Sequence, residues 1–189
     1  LTPEGMVFKR NSKELEDICS YALEHGVEVK NSMLQKNPKV VKGIIDFCLE
    51  KGMDIIPTMF ARSEEEVKDI VHICEQEGID LSGSIFYRSP EEVRNLVELC
   101  HELKVDVEAS FFLRSFETTK EVFDFCKSKG IKASGAVFTK TKEDLEAIYN
   151  TCLECGVTGN TAYLRTPDEI REIASICDEY GIKKNGAVF

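Results

Sequence analysis

Residue types that often carry chemistry are scarce in this 189-residue chain. It has no tryptophan, five prolines and three histidines, and the histidines (His25, His72, His101) stand at unrelated points of the sequence. No Ser/His/Asp grouping, glycine-rich phosphate loop or H-E-x-x-H pattern accompanies them. We therefore expect a protein that is not an enzyme, with no cofactor, no metal ion and no small-molecule substrate.

Long apolar runs and an excess of positive charge are also lacking. No stretch approaches the roughly 18 apolar residues of a membrane span, so we expect no membrane insertion. The formal net charge is −10 at pH 7, which argues against indiscriminate binding to nucleic acid or anionic lipid. With 42% apolar and 31% charged residues, the composition is that of a folded protein.

The sequence contains a unit of 26 residues that occurs seven times, the last copy being one residue shorter. Position 5 of each copy is Asn, Ser or Thr, position 8 is acidic in five copies, and position 20 is Gly in six, with Lys104 as the exception. These residues are typical of a helix N-cap, a capping box and a helix C-terminus. Apolar residues at positions 9, 12, 13, 15 and 16 give the helix one buried stripe. The copies begin near residues 7, 33, 59, 85, 111, 137 and 163.

The repeat predicts one long helix from position 6 to position 19, then a short helical turn, and no β-sheet. One such unit cannot bury its own stripe, whereas stacked copies can. We therefore predict an all-α fold, an α-solenoid or superhelix of seven repeats that forms one domain over residues 1–189. Val188 and Phe189 begin an eighth copy and no polar terminal cap is visible, so we expect a fragment of a longer array.

Eight cysteines could indicate disulfides or a metal site, but six of them share position 16. Packed helices lie about 8–10 Å apart, whereas a disulfide needs Cα atoms within about 7 Å. Ala22 takes the same place in the first copy, so we interpret these residues as small packing side chains, and the Cys152-x-x-Cys155 motif as a coincidence of the repeat. Reduced cysteines predict an intracellular protein. The six are Cys48, Cys74, Cys100, Cys126, Cys152 and Cys177.

Position 4, directly before the helix N-cap, is basic in every copy, although the neighbouring position 3 varies freely. One hypothesis is a row of cations that follows a nucleic-acid backbone, each beside the free N–H groups of a helix N-terminus. The alternative is structural, because a cation suits the end of the short turn and lies four residues before the acidic position 8. Residues 59–110 hold 5 Lys and Arg against 13 Asp and Glu, which disfavours nucleic acid unless those acids face away. The position-4 residues are Arg10, Lys36, Arg62, Arg88, Arg114, Lys140 and Arg165.

The stretch from Gly78 to Val93 reads Gly-Ile, five residues, then Ile-Phe-x-Arg-Ser-Pro-Glu-Glu-Val. It resembles repeats of the mitochondrial transcription termination factor (mTERF) family, which place a Leu-Gly-aliphatic helix end before a short helix and a Ser/Pro helix start. The resemblance extends over all seven units and implies an α-solenoid that binds nucleic acid through a basic groove, to which the position-4 residues would belong. The family's units are longer and its members are basic, whereas this chain is acidic. Repeats of the TAL effectors are a more distant likeness, and their base-reading pair of residues is not identifiable here.

Two functions follow as predictions. The first is a non-enzymatic module that binds nucleic acid, DNA rather than RNA, through the seven position-4 residues. The alternative is a protein-interaction scaffold whose concave face grips an acidic or extended peptide partner. A third possibility is a spacer between functional domains that lie outside this chain.

Overall fold

A computed structural model describes residues 11–189 of the chain. Seven long helices occur in this part, one in each repeat, and a single-turn helix lies between the fifth and the sixth. The long helices begin and end where positions 6 and 19 predict them, to within one residue. In chain order the helices are α1 (Ser12–Glu24), α2 (Pro38–Lys51), α3 (Glu64–Glu77), α4 (Pro90–Leu103), α5 (Phe116–Lys129), α6 (Gly135–Phe138), α7 (Lys142–Cys155) and α8 (Pro167–Tyr180).

A short helical element precedes each long helix from α2 onward. Before α7 this short element is the single-turn helix α6, and before the other long helices it is a 3₁₀ helix. Residues 11–189 contain no β-strand. The prediction of an all-α helical-repeat array is therefore confirmed. The 3₁₀ helices are Met33–Gln35, Pro57–Ala61, Ile85–Tyr87, Ala109–Leu113 and Asn160–Leu164.

Local hydrogen bonds explain why the long helices have these bounds. The N-cap side chain accepts a hydrogen bond from a first-turn backbone N–H, as in Ser63 with the N–H of Glu66. The Glu66 carboxylate accepts in return from the Ser63 N–H, which completes the predicted capping box. At the other end, the position-20 glycines are left-handed, with φ of 66° at Gly78. Lys104 adopts the same conformation, with φ of 56°, and no other non-glycine residue among those described has a positive φ.

The chain folds as two compact units, Leu1–Asn95 (unit 1) and Leu96–Phe189 (unit 2). In unit 1 the apolar stripes of α1, α2 and α3 pack with the short helices, and the core is largely aliphatic. Phe60 and Phe86 supply the large aromatic side chains of that core. The expectation that residues 1–189 form a single domain stays a prediction. Other fully buried members of unit 1 include Ile18, Met33, Val41, Ile44, Met59, Val67 and Ile70.

The core of unit 2 is built on aromatic rings. Phe111, Phe123 and Phe138 are buried, and their ring centroids lie 4.3 to 5.2 Å apart. Each ring therefore contacts the other two at a tilted or edge-on angle, which the quadrupoles of aromatic rings favour. Tyr163 and Ile170 extend this cluster towards the end of the chain.

The cysteines at position 16 lie in the cores, as the packing interpretation requires. All eight cysteines are unpaired, and the six at position 16 are buried. Burial raises the pKa of Cys48 and of Cys126 to about 11, because a thiolate is poorly solvated there. These thiols therefore stay protonated and unreactive near neutral pH.

Candidate functional site

In unit 1 the position-4 cations bond to the repeat that follows them. Lys36 Nζ donates to the carbonyl oxygen of Ala61 at 3.1 Å. Arg62 donates from Nε to the carbonyl oxygen of Phe86 at 2.9 Å and from Nη2 to that of Tyr87 at 2.6 Å. Ala61, Phe86 and Tyr87 lie at or next to the C-termini of the 3₁₀ helices, where carbonyl groups lack helical partners. The cation thus links two consecutive repeats.

The same cations pair with the acid at position 8 of their own repeat. The N–O separation is 3.5 Å for Arg62 with Glu66 and 3.7 Å for Arg88 with Glu92. Both arginine side chains are about one-fifth exposed, at 21% and 18%. The backbone N–H of Ser63, then its hydroxyl and the Arg62 guanidinium, lower the pKa of Glu66. The structural alternative proposed for position 4, a local ion pair, is confirmed in these repeats.

In unit 2 the position-4 residues differ from one another. Arg165 donates from Nε to the carbonyl oxygen of Phe189 at 3.1 Å and lies 4.0 Å from Glu169. Within residues 11–189, the side chains of Arg114 and Lys140 make no hydrogen bond or ion pair. They still act on Asp144, whose pKa is lowered first by hydrogen bonds from Thr141 and then by the charges of Lys140 and Arg114.

Arg10, the first residue of the predicted row, lies outside the described residues. The repeat pattern did not predict that position 4 bonds to the following repeat. A signal was present, because position 4 stayed basic while position 3 varied, but it fits nucleic acid and packing equally well. The charged groups of Lys36, Arg62, Arg88 and Arg165 are engaged within the chain.

A second surface recurs in each repeat, and the sequence pattern did not predict it. Positions 21–24 of the repeats link the long helix to the next short one and are irregular, except that Asn160 already begins a 3₁₀ helix; we call them the linking segment. Positions 21 and 23 carry mostly half-buried apolar side chains, and position 22 is exposed. In unit 1 these segments are residues 27–30, 53–56 and 79–82, with Glu28, Asp54 and Asp80 at position 22. The alternation of apolar and charged residues over only three positions was too short to be recognised.

Two linking segments of unit 2, residues 105–108 and 131–134, line a cleft of about 430 Å³, which we call the lysine cleft. Its apolar lining includes buried Phe123 and Cys126. Half-buried Leu103, Val105, Ile131 and Ala133 complete that lining. Its charged lining consists of Lys104, Lys127, Lys132, Asp106 and Glu108.

The three lysines of this cleft are exposed and form no ion pair within the part of the chain that the structure describes. Glu108 is half-buried instead, and its carboxylate packs on Gly135, where an added Cβ would come within 2.8 Å of Oε2. Asp106 is exposed. The cleft therefore combines an apolar lining with three ammonium groups that form no ion pair among the described residues, and with two carboxylates.

Residues 11–189 contain neither a cluster of metal-ligating side chains nor a helix that could span a membrane. No group of three or more His, Cys, Asp or Glu side chains is placed there to hold a metal ion. None of the helices in that range has both the length and the apolar character needed to cross a membrane.

Comparisons with known proteins give no match. No protein-family model matches the sequence, and no curated protein and no solved structure is significantly similar to it. The resemblance to mTERF repeats therefore stays a prediction. The chain itself belongs to the architectural class of all-α repeat arrays.

Proposed function

We propose that this chain is a non-enzymatic helical-repeat module that binds a protein partner along its linking segments. One observation carries the proposal. The linking segments place half-buried apolar side chains beside exposed charges that form no ion pair within residues 11–189, such as Asp54 and Asp80 in unit 1 and Lys132 in unit 2. Apolar side chains bordered by exposed charges are typical of a surface that recognises a polypeptide, and each unit has such segments.

In this proposal the position-4 residues have a structural role and do not bind the ligand. A phosphate group would have to displace the carbonyl and carboxylate partners of Arg62, and the net charge of −10 would repel it. We therefore assign position 4 chiefly to the attachment of one repeat to the next. The unpaired, buried cysteines fit a reducing compartment, and we propose an intracellular location.

Nucleic-acid binding is the second candidate, and it is favoured by Arg114 and Lys140. Their charged groups lack hydrogen-bonded partners within residues 11–189, and each residue directly precedes the N-cap of a long helix (Ser115 and Thr141). A helix N-terminus beside a free cation is suited to a phosphate. In this alternative the two residues contact a DNA backbone.

The two candidates are tested by measuring binding to both ligand classes. Fluorescence anisotropy is recorded with labelled duplex DNA, with single-stranded RNA, and with extended peptides selected on the chain from a random library. We expect selected peptides to bind and D54K/D80K to weaken binding of basic ones, with E50K/E98K as a control that makes the same change in net charge. Binding of DNA that falls with rising salt and is lost in R114A/K140A, with no peptide selected, would reverse the assignment.

A further inference from the structure

We propose that the lysine cleft in unit 2 is a specificity pocket for one apolar anchor side chain of the partner, flanked in the partner sequence by Asp or Glu. This inference rests on the proposed protein-binding function and adds the chemistry of the ligand. The partner segment is extended and acidic, and its anchor has the size of Leu, Met or Phe.

The first argument is the backbone of Lys104. Position 20 is Gly in the other six repeats, and the left-handed conformation that ends the helix is natural to glycine. Lys104 adopts it with φ of 56°. A non-glycine residue in this region is strained, and such strain is often retained where a side chain has a task. The one repeat that departs from glycine therefore places an ammonium group at the lysine cleft.

The second argument is charge complementarity. Six of the sixteen lysines in residues 11–189 pair with a carboxylate, among them Lys42 with Asp17 and Lys51 with Glu75. Lys104, Lys127 and Lys132 do not, within the described residues, although the protein is strongly acidic. Three unpaired ammonium groups around one cleft attract an anionic ligand and fix its position relative to the apolar lining.

The third argument concerns the shape and polarity of the cleft. A volume of about 430 Å³ lies within the range of binding pockets, and an apolar lining with a few charged groups is their usual composition. Asp106 and Glu108 also line it, so a polyanion such as a nucleic-acid backbone would meet two carboxylates. A single apolar side chain between separate acidic residues avoids that repulsion better than a continuous phosphate chain does.

The probes for the test are three short peptides: one with a central Leu between Asp and Glu residues, one with Ser in place of Leu, and one with Lys and Arg in place of the acids. Methyl NMR spectra of the intact chain report where each peptide binds. We expect the acidic Leu peptide to shift the methyl resonances of Leu103, Val105, Ile131 and Ala133. The Ser peptide and the basic peptide should leave them in place.

Variants then separate recognition from folding. Lys104→Gly should weaken binding of the acidic Leu peptide while raising the midpoint of thermal unfolding, because the backbone strain is removed. If Lys104 had only a structural role, its replacement by Gly would change the unfolding midpoint but would leave the affinity for the peptide unchanged. K104G/K127Q/K132Q should weaken binding by about tenfold or more. The matched control K13Q/K39Q/K142Q removes the same number of exposed lysine charges elsewhere and should bind like the parent protein.

Two results would overturn the inference. One is a Lys104→Gly chain that binds the acidic Leu peptide as tightly as the parent, and the other is peptide-induced shifts that leave the cleft methyl groups unmoved. If library peptides bind elsewhere on the chain in that case, the protein-binding function survives and only the cleft assignment fails. If no peptide binds at any site, the proposed function fails as well.

Discussion

The linking segments of the two units have the same place in the repeat but differ in their charge at position 22. In unit 1 position 22 is acidic in each described repeat, at Glu28, Asp54 and Asp80. In unit 2 it is Asp106, Lys132, Thr158 and Lys183 in turn, so the acidic character of unit 1 is lost after the first of these repeats. Because position 22 is exposed throughout, its charge does not affect the packing of the repeat. Position 22 can therefore vary without a cost in packing, and under the proposed protein-binding function the two units would present different charges to a partner.

The cores differ as well. No aromatic residue occupies position 13 of the long helices in unit 1, whereas two of the four position-13 residues of unit 2, Phe123 and Tyr149, are aromatic. In the core of unit 2 the Phe123 ring therefore packs against the rings of Phe111 and Phe138. The same repeat can hold an aliphatic or an aromatic side chain at this position, provided that the total volume and the apolar pattern of the core are kept.

The largest expected effect comes from breaking the aromatic core of unit 2. Phe123→Ala should lower the free energy of unfolding by about 3–5 kcal/mol, since it leaves a cavity beside Phe111 and Phe138. Ile45→Ala in unit 1 is the matched change and should cost about 2–5 kcal/mol without an aromatic contribution. Hydrogen exchange followed by mass spectrometry measures which amides lose protection. Equal loss of protection in both units after Phe123→Ala would show that the chain opens as one cooperative body.

A smaller effect is expected from the position-4 arginines, and it should differ between the units. Arg62→Ala removes two bonds to carbonyl groups of the next repeat and should cost about 1.5–3 kcal/mol in urea unfolding. Arg114→Ala removes no internal hydrogen bond among the described residues and should stay within about 0.5 kcal/mol of the parent. Arg62→Lys keeps the charge but loses the forked geometry, so an intermediate value is expected. Identical values for the two alanine variants would contradict the attachment role of Arg62.

Exchanging the residue at position 20 should produce changes of opposite sign in the two units. Lys104→Gly in unit 2 relieves a left-handed lysine and should stabilise the protein by about 1 kcal/mol. Gly78→Lys in unit 1 introduces the same strain where φ is 66° and should destabilise it by about 1–2 kcal/mol. Thermal unfolding of both variants checks the prediction. A stabilising Gly78→Lys change would show that the left-handed backbone carries no strain in this repeat.

The smallest difference is expected from the buried thiols, which occur in both units. Burial raises the pKa of Cys74 in unit 1 and Cys100 in unit 2 from 9.0 to about 11. Their contribution to stability is fully present below pH 9.0 and is lost as pH rises towards about 11, because the unfolded chain releases its protons first. Urea unfolding at increasing alkaline pH should show this decline, and Cys74→Ala or Cys100→Ala should reduce it similarly. A decline that neither variant alters would assign it to other groups.

Most of the fold could be predicted from the residues alone. An N-cap such as Ser63, its acid three positions later and the glycine that ends the helix interact over a few residues. Their spacing therefore determined the bounds of the long helices, and the shared position of the cysteines indicated packing. These are local interactions, so they do not depend on how one repeat meets the next.

The tertiary structure decided what the repeated cation contacts and where the lysine cleft forms. Arg62 reaches carbonyl groups 24 and 25 residues away, and that reach depends on the register in which one repeat stacks on another. The lysine cleft likewise needs two consecutive linking segments and the end of a long helix to come together. Sequence spacing identified Lys104 as an exception to the glycine rule, but only the packed repeats place it beside an apolar cleft, because burial is a property of neighbours in space.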